Sequence, residues 1–540
     1  MFRKAIIVLC IGVLLLLPAH GFFGEEKEKP FYTPIKMSRE RMPIPVKTEM
    51  AGKVEMSMMA RPSSIPVADT ENAEMHPSLE TNGDGTLFAA YTLQMDILNS
   101  NIMYIYSQDN GATWQEGGYF NLEGAYDYPA IDYWGSGGTF IGTFAPDPSD
   151  CDGAAQYVLR VDDVTDPTTW SLVYWDWTDY NQRDRESPDI AGYSDVGDAT
   201  WWYGVIVDTE SSDYGDTTTE HIPVFNWPDY KSDGSGWIWW WESFPNAAHA
   251  CIDIDRSNGV LYAAWDQYNE SRPDYGRDIL LAIADVHNWW QEIWEINWSY
   301  LGGNEDNTYP DVAAENGYIY VVCQADTTIP GKQDIICFYS HDGGKTWETS
   351  TIAADPAKDE VYPSIVAYGE GATCTFLIDG DVYVTHTTDG GATWSEAKKV
   401  NDEDGSVYNG YRTLKLATAG NIMWTDMRNG NADVYYDSVG YPPTPIITIK
   451  DIAGGFGVKA TIANTGTADA ENVEWSITLD GLVFMGKEKS GNVNIAAGSE
   501  VTIKSGLVFG IGPVSITAKA GGATKTASGM AVGPFILGVG

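Results

Sequence analysis

A four-residue motif recurs seven times between residues 76 and 414, and no other feature restricts the possible folds as strongly. Most copies begin with an aromatic residue or His, continue with Pro and end with an aliphatic residue. The copies are His76–Leu79, Tyr128–Ile131, Ser187–Ile190, His249–Ile252, Tyr309–Val312, Tyr362–Ile365 and, more weakly, Tyr411–Leu414. Their second positions are 52, 59, 62, 60, 53 and 49 residues apart, a period typical of one four-stranded propeller blade.

Each unit repeats an internal order of strand-like segments. A second apolar run follows the motif, and a third opens with Asp and an aliphatic residue, as in Asp334-Ile335. Three units then carry a turn with the pattern Ser/Thr-x-Asp-x-Gly-x-Thr-Trp, at Ser107–Trp114, Ser340–Trp347 and Thr387–Trp394. The content of 56 Gly, 31 Tyr and 21 Trp also fits many short strands joined by turns. These features predict an all-β chain.

The three eight-residue turns resemble the Asp box of the sialidase-like superfamily. Such a carboxylate can cap backbone N–H groups and accept from the Thr hydroxyl, while the glycine supplies a positive φ. The resemblance implies that the turns join third and fourth strands on the face away from any active site, with the Trp packed against a neighbouring blade. The residues given this structural role are Asp109, Gly111, Trp114, Asp342, Gly344, Trp347, Asp389, Gly391 and Trp394.

The seventh unit ends near residue 439 without a fourth strand, which would leave an exposed sheet edge. Ser64–Asp69, before the first motif, reads like the strand that precedes other copies of the motif. We therefore predict an all-β fold in which this N-terminal strand completes the last blade of a seven-bladed propeller. A six-bladed propeller is the alternative.

Five segments are predicted along the chain. Residues 1–21 read as a signal peptide, with Arg3 and Lys4 before an apolar run that is too short to span a membrane. Residues 22–60 read as a flexible tether, 61–440 as the propeller, 441–445 as a Pro-rich linker and 446–540 as a β-sandwich. The stretch Ala463–Val473 resembles the CARDB-like Ig-fold modules. The sequence thus predicts a secreted or cell-surface monomer with no transmembrane segment in its mature form.

The net charge of −44 lies entirely before residue 446, since the remainder contains seven basic and seven acidic residues. Such a field repels phosphate backbones and excludes nucleic acid as a partner. The acidity can indicate cation binding or a solvated surface, and the second is favoured because few acids have metal-loop spacing. Only Asp147–Gly153 half resembles a calcium loop, so we predict no cofactor and leave calcium open.

Five cysteines follow the signal segment, and at least one must be unpaired. Cys323 and Cys337 lie on adjacent predicted strands of one hairpin. They could form a cross-strand disulfide or remain two buried thiols. No Cys-x-x-Cys pair and no Cys/His cluster occurs, which argues against zinc.

Ligands of propellers usually meet the loops that join second to third and fourth to first strands. Trp177, Tyr180, Trp298 and Tyr300 could stack on sugar rings there. Arg277 and Arg428 also have a structural interpretation, in which neighbouring Asp and Arg pair to stiffen a hairpin. His76, Tyr309 and Tyr362 are assigned to packing around the channel. The candidate binding residues in these loops are Arg183, Arg185, Glu186, Asp266, Arg272, Arg277, Asp426 and Arg428.

Two function classes remain open. The sialidase-like resemblance implies three arginines on a substrate carboxylate, a Tyr–Glu nucleophile and an Asp acid/base, and the loops hold enough arginines. However, the family's Arg-Ile-Pro signature is absent, and seven units exceed the six blades of catalytic sialidases. We therefore expect a propeller that binds glycan or protein through its loop face, with a sialidase-like glycoside hydrolase as the alternative.

Overall fold

A computed structural model describes the chain at residues 32–36, 42–43, 64–83, 85–96, 99–120, 126–133, 140–146, 155–177, 188–194, 202–211, 221–228, 235–240, 247–268, 276–285, 297–302, 305–327, 332–440, 445, 447–464, 469–521 and 523–539. These residues form β-strands and turns, with 3-10 helices at Pro167–Thr169 and Thr418–Gly420. Within these ranges no helix is long and apolar enough to cross a membrane. The all-β prediction is confirmed.

Three short strands precede the repeats, and antiparallel sheets follow in chain order. The early strands are β1 Tyr32–Lys36, β2 Met42–Pro43 and β3 Ile65–Ala68. Sheet 1 contains β4 Ala73–Thr81, β5 Leu87–Asp96, β6 Asn99–Ser107 and β7 Gln115–Phe120. Sheet 2 contains β8 Tyr126–Tyr133, β9 Phe140–Pro146, β10 Ala155–Val161 and β11 Ser171–Trp177. Sheet 3 contains β12 Asp189–Ser194, β13 Trp202–Ser211, β14 His221–Pro228 and β15 Ser235–Trp240.

Four more sheets continue this order. Sheet 4 contains β16 Ala247–Asp255, β17 Val260–Tyr268, β18 Arg277–Asp285 and β19 Asn297–Leu301. Sheet 5 contains β20 Asn307–Glu315, β21 Tyr318–Ala325, β22 Asp334–Ser340 and β23 Glu348–Ala353. Sheet 6 contains β24 Glu360–Tyr368, β25 Gly371–Ile378, β26 Asp381–Thr387 and β27 Lys398–Lys399. Sheet 7 contains β28 Leu414–Ala417, β29 Asn421–Asp426, β30 Asp433–Ser438 and β3.

The first strand of each sheet contacts the first strands of the sheets before and after it, and β28 of sheet 7 contacts β4 of sheet 1. The N-terminal strand β3 pairs antiparallel with β30, with Ile65 opposite Tyr436 and Pro66 opposite Tyr435. The Glu74 N–H also donates to the Ala432 carbonyl at 2.7 Å. The fourth strand of the last sheet is therefore supplied by the segment that the sequence places there.

Two strands lie inside the segment predicted as a flexible tether. β1 pairs with β15 of sheet 3, and β2 pairs with β11 of sheet 2. An outer strand presents unpaired N–H and C=O groups that an extended segment can satisfy. At these residues the chain adds a fifth strand to sheets 2 and 3.

Hydrogen bonds join the first strands of neighbouring sheets. A side chain at the third motif position accepts a hydrogen bond from the backbone N–H of an aliphatic residue in a neighbouring first strand. The bonds run from Ile131 N to Ser78 Oγ (3.0 Å), Ile252 N to Asp189 Oδ2 (3.1 Å), Ile365 N to Asp311 Oδ2 (2.8 Å) and Leu416 N to Ser364 Oγ (3.2 Å). We call them the inter-sheet bonds. Each satisfies an amide that would otherwise be buried without a partner.

The space between neighbouring sheets is filled by apolar side chains. Ile279 and Leu281 of sheet 4 pack with Val321 and Phe338 of sheet 5 in one buried cluster. Trp265 and Trp424 are completely buried within sheets 4 and 7. Because both faces of these sheets are covered, their inner strands are apolar almost without alternation.

The two thiols of sheet 5 do not form a disulfide. Cys323 lies opposite Ile336, and Cys337 lies opposite Val322. A register offset of one residue turns the two side chains to opposite faces of the sheet. Cys323 thus packs toward sheet 4 and Cys337 toward sheet 6. Of the two alternatives left open for this pair, the disulfide is absent and the two free, buried thiols are present, and burial raises the pKa of both.

Two further sheets follow the last residues of sheet 7. Their strands are β31 Ile447–Ala453, β32 Gly455–Phe456, β33 Lys459–Asn464, β34 Ala470–Met485, β35 Glu488–Ile495, β36 Glu500–Lys504, β37 Phe509–Ala520, β38 Ala523–Gly533 and β39 Phe535–Leu537. One sheet has the order β31-β33-β36 and the other β32-β39-β38-β37-β34-β35. Ile462 and Ile503 of the first share a buried core with Ile477 and Ile516 of the second. Residues 447–539 therefore form a sandwich of two antiparallel sheets.

Candidate functional site

The first motif residue has a left-handed backbone in five sheets. His76, Tyr128, His249, Tyr309 and Tyr362 have φ values between 50° and 56°, and the strand register shifts at each of them. Such a bulge inserts an extra residue and redirects its side chain. For a residue with a Cβ this backbone costs roughly 1–2 kcal/mol, so the surrounding bonds must hold it in place.

Hydrogen bonds to the backbone hold these strained residues. The Tyr309 N–H donates to Asp266 Oδ2 at 3.0 Å, and the Tyr362 N–H donates to Gln324 Oε1 at 2.8 Å. Asp266 and Gln324 lie near the ends of the second strands of sheets 4 and 5. Each therefore reaches from its own sheet to the first strand of the following sheet.

Six ring side chains from six sheets converge at this end of the channel. Ring centroids are 4.5 Å apart for His76–Tyr128, 6.1 Å for Tyr128–Tyr411 and 4.8 Å for His249–Tyr411. The Tyr309 ring is 3.8 Å from His249, 5.5 Å from Tyr411 and 5.0 Å from Tyr362. We call these six rings the aromatic mouth. It lies where second strands end, which is the face bearing the loops singled out in the sequence.

Both histidines of the aromatic mouth are paired with a carboxylate. His76 Nδ1 lies 2.6 Å from Asp127 Oδ1, which also accepts from the Thr92 hydroxyl at 2.7 Å. Burial alone would raise the pKa of Asp127, but the charge and hydrogen bond of His76 and the bonds from Thr92 and Tyr128 hold it below its ordinary value. Asp127 is thus held as a carboxylate.

The second pair includes two predicted site residues. His249 Nδ1 lies 2.5 Å from Oδ2 of Asp266, whose side chain is completely buried. The Arg277 Nε–H donates to the other Asp266 oxygen, and Arg277 Nη2 donates to the Asp266 carbonyl at 2.9 Å. Asp266 and Arg277 therefore belong to the edge of the aromatic mouth, where they orient His249 and Tyr309.

The other described candidates form a separate cluster. The Arg428 guanidinium donates twice to Asp426, at 2.9 and 2.8 Å, and once to Asp402 at 2.8 Å. Its guanidinium carbon is 4.0 Å from the centre of the Tyr435 ring. Burial alone would raise the pKa of Asp426, yet its bonds with Arg428, Trp424 and Ser406 lower it. These contacts agree with the structural interpretation of this pair. Arg183, Arg185, Glu186 and Arg272 lie outside the described residues.

A small cavity of about 70 Å³ lies in the channel below the aromatic mouth. Arg412 crosses the channel and donates to the Pro188 carbonyl at 2.6 Å. Lys415 lies deeper; burial would lower its pKa, but Asp311 and Asp189 raise it above its ordinary value. Since pockets for organic ligands are typically at least ~300 Å³, a sugar ring cannot enter this cavity. A ligand at this site must bind over the mouth.

Buried carboxyl groups occupy the opposite end of the channel. Burial raises the pKa of Glu80 and Glu315 to about 7 and that of Asp253 to about 8. Arg256, in the turn between the first two strands of sheet 4, donates to both oxygens of Asp132 at 2.7 and 2.9 Å. Within the described ranges, no group of three or more His, Cys, Asp or Glu residues is placed to hold a metal ion.

The three eight-residue turns join third and fourth strands, at the end of the sheets away from the aromatic mouth. In the first, Asp109 accepts from the Thr113 N–H at 2.8 Å and from the Thr113 hydroxyl at 2.7 Å. Asp342 and Asp389 accept the same two bonds from Thr346 and Thr393. The bonding expected of these carboxylates is therefore present in all three turns.

The turns also contact the neighbouring sheet through their glycines and tryptophans. The φ values of Gly111, Gly344 and Gly391 are 78°, 82° and 97°. A Cβ on Gly111 would lie 2.2 Å from the Tyr436 ring of sheet 7. The ring centroids of Trp114 and Tyr436 are 5.2 Å apart. Trp394 donates to Ser350 Oγ of sheet 5 at 3.1 Å, and Trp347 packs against the buried cluster of sheets 4 and 5.

Sequence reasoning missed Tyr128, His249 and Tyr411 as site residues, and it assigned His76, Tyr309 and Tyr362 to packing. The signal was present, because the first motif position is aromatic or His in six of the seven copies. A core position would also accept aliphatic residues, whereas this position has none. Of the sugar-stacking candidates, Tyr300 is 56% exposed on β19 and lies outside the aromatic mouth.

No family model matches this chain, and no curated protein matches it. Solved structures with some likeness include a Fusarium graminearum α-L-arabinofuranosidase with an iminosugar inhibitor, at 12% identity and a TM-score of 0.42, over 70% of this chain and 97% of that one. A Penicillium chrysogenum α-L-arabinanase with arabinobiose has 10% identity and a TM-score of 0.39, over 69% and 97% of the chains. A Bacillus licheniformis endo-arabinanase has 12% identity and a TM-score of 0.28, over 62% and 96%. Likeness this remote carries no conclusion about activity.

Proposed function

We propose that this chain is an exported, non-catalytic β-propeller that binds a glycan across its aromatic mouth. In this proposal the seven sheets are the blades of one closed ring, and residues 447–539 are an Ig-like module that displays it. The ring is supported by the contacts of the first strands in sequence, including β28 with β4, and by the pairing of β3 with β30.

The aromatic mouth is the observation that carries the proposal. Binding sites are typically lined by aromatic side chains with a few placed polar groups, and the mouth has this composition. Tyr268 and Tyr408, at 37% and 41% exposure, add accessible rings near Asp266 and Tyr362. Aromatic faces that are partly open to solvent suit the C–H faces of a sugar ring.

Binding is favoured over hydrolysis by the state of the two carboxylates that contact the histidines of the aromatic mouth. A glycosidase requires a carboxylic acid with a raised pKa and a second carboxylate about 5–9.5 Å away. Asp127 and Asp266 are instead each bound by a histidine, and the pKa of Asp127 is lowered as described above. Burial, together with Tyr362 and Asp266, raises the pKa of Tyr309 to about 12, which disfavours a phenolate nucleophile.

The charge of the chain restricts the kind of glycan. The net charge of −44 lies before residue 446, in the part of the chain that contains the propeller, so anionic polysaccharides are repelled before they reach the mouth. A neutral glycan is not repelled by this charge. We therefore propose neutral sugars as the ligand class.

The test is a glycan array with neutral and acidic members, followed by calorimetry on any ligand found. Tyr309→Asn keeps a residue that tolerates a left-handed backbone, and Tyr411→Ala removes the central ring. Each should weaken binding about 10-fold through lost stacking. Tyr300→Ala is the matched control, because it removes an exposed tyrosine outside the mouth.

Two results would contradict the proposal. One is the absence of any bound glycan. The other is turnover of fluorogenic sialosides or other glycosides that Arg277→Ala abolishes with an unchanged melting temperature, which would establish the hydrolase alternative. Arg428→Ala, tested in parallel, separates the cluster around Asp426 from the aromatic mouth.

A further inference from the structure

The outer face of the six-stranded sheet in the sandwich is apolar. Strand alternation turns Val483, Ala531 and Ile536 into the sandwich core, where each is at most 3% exposed. The neighbouring residues point outward and are large, apolar and 47–69% exposed: Phe456, Phe484, Phe509, Ile511, Val532 and Phe535. Both faces of this part of the sheet are therefore apolar.

The register makes these side chains one continuous surface. Phe456 lies opposite Phe535, Phe535 opposite Val532, and Val532 opposite Ile511. Directly paired residues of antiparallel strands share a face, so this row crosses four adjacent strands. Phe509 lies two residues before Ile511 and opposite Met485 of β34, which extends the surface to a fifth strand. We call it the apolar face.

An antiparallel sheet with one face in water normally alternates apolar and polar residues. Further along β38, the outward residues Thr524, Thr526 and Ser528 follow that rule, so the departure is confined to one end of the sheet. About ten large side chains, half exposed and each with roughly 200 Å² of surface, present on the order of 1,000 Å². That area exceeds an ordinary patch and reaches the ~800 Å² per partner of a stable interface.

The distribution of charge favours a second copy as the partner. The net charge of −44 lies before residue 446, and the remainder has seven basic and seven acidic residues. Two copies can therefore approach through their sandwiches while the acidic propellers stay apart. A second copy also presents an apolar surface of the same size, as a twofold contact requires.

We propose that this chain forms a homodimer in which two apolar faces stack about a twofold axis. The two sheets then lie about 10 Å apart with interdigitated side chains, as in other face-to-face sheet packings. This differs from the monomer expected from the sequence. The dimer carries two propellers on one particle, which raises the apparent affinity for any ligand with repeated binding units.

Sedimentation velocity on the full chain tests the proposal. We expect a species of twice 59.2 kDa at micromolar concentration. The double variant Ile511→Lys/Val532→Lys places two charges in the centre of the apolar face and should weaken association at least 100-fold. Thr502→Lys is the control, since it adds a charge on an exposed position of β36 in the other sheet and should leave the dimer intact.

Circular dichroism should show the same folded spectrum for all variants, because the replaced side chains are exposed. A wild-type chain that stays monomeric at about 100 µM overturns the proposal, as does a dimer that survives in the double variant. Pelleting of a monomeric wild type with phosphatidylcholine vesicles, lost in the double variant, also overturns it and assigns the apolar face to a lipid surface instead.

Discussion

The propeller sheets and the sandwich differ in how far their apolar surfaces are covered. In the propeller, each sheet is covered by its neighbours, and the inter-sheet bonds satisfy polar groups at the boundaries. In the sandwich, one face of the larger sheet is packed and part of the other is apolar and open. The propeller therefore completes its last sheet from within one chain, whereas the sandwich leaves part of an apolar surface exposed.

The difference also appears in the role of the chain termini. The propeller recruits β3 from its N-terminal side to close the last sheet. The sandwich uses its last strand, β39, to extend the sheet that carries the apolar face. One end of the chain thus removes an exposed edge, and the other enlarges an exposed surface.

Of the changes considered, removal of β3, the strand that completes sheet 7, should lower the stability of the propeller most. Deletion of residues 1–70 removes β3 and opens sheet 7, and we expect the propeller to lose more than about 4 kcal/mol or to fail to fold. Deletion of residues 1–60 is the control, because it keeps β3. Differential scanning calorimetry should show the sandwich transition unchanged in both. Equal propeller melting temperatures for the two deletions would refute closure by β3.

Acidification should stabilise the propeller. The folded-state pKa of Glu80 is about 7 and that of Asp253 about 8, both above the ordinary values because of burial. A carboxyl with a raised folded pKa contributes stability below its unfolded pKa and loses it as pH rises through the folded pKa. We therefore expect a higher melting temperature at pH 5.5 than at pH 8.5. Each group should change the free energy of unfolding by about 3 kcal/mol between these two pH values.

Glu80→Gln should flatten this pH dependence, because the amide cannot ionise. Glu370→Gln removes an exposed carboxyl and serves as the control. A melting temperature that falls steadily from pH 8.5 to pH 5.5 would show that the buried carboxyls do not control propeller stability in this range.

A smaller effect is expected at the contact between sheets 1 and 7. Gly111 and Gly83 have similar φ values of 78° and 82°, but a Cβ on Gly111 would overlap the Tyr436 ring while one on Gly83 would meet nothing within 4 Å. Gly83→Ala should cost about 1 kcal/mol from backbone strain alone. Gly111→Ala should cost about 2 kcal/mol more through overpacking. Chemical denaturation measures both, and equal losses would deny the close approach.

Much of the propeller can be predicted from the sequence, because its repeat consists of residues with strong preferences for particular turns and backbone conformations. The spacing of the motif gives the number of residues in each four-stranded sheet. The Asp, Gly and Thr of each eight-residue turn specify its backbone conformation and hydrogen bonds. The missing fourth strand of sheet 7 pointed to Ser64–Asp69 for the same reason. Each of these inferences depends on local chemistry.

The site was harder to predict because its defining features are not local. A left-handed backbone at Tyr309 or Tyr362 cannot be inferred from tyrosine, which rarely adopts it. Asp266 and Arg277 were chosen for their loop positions, yet their pairing with each other and with His249 depends on register across sheet 4. The choice between a disulfide and two free thiols at Cys323 and Cys337 stayed open for the same reason, since a register offset of one residue turns the two side chains to opposite faces.

The closing strand has a consequence for the order of events during synthesis. β3 leaves the ribosome early, but its partner β30 begins 365 residues after Ala68, which corresponds to about 20–70 s of translation. Throughout that interval β3 cannot pair with β30, even if the first six sheets have already folded. Closure of sheet 7 is therefore one of the last steps in forming the propeller, and it can begin while the residues after Ser438 are still being made.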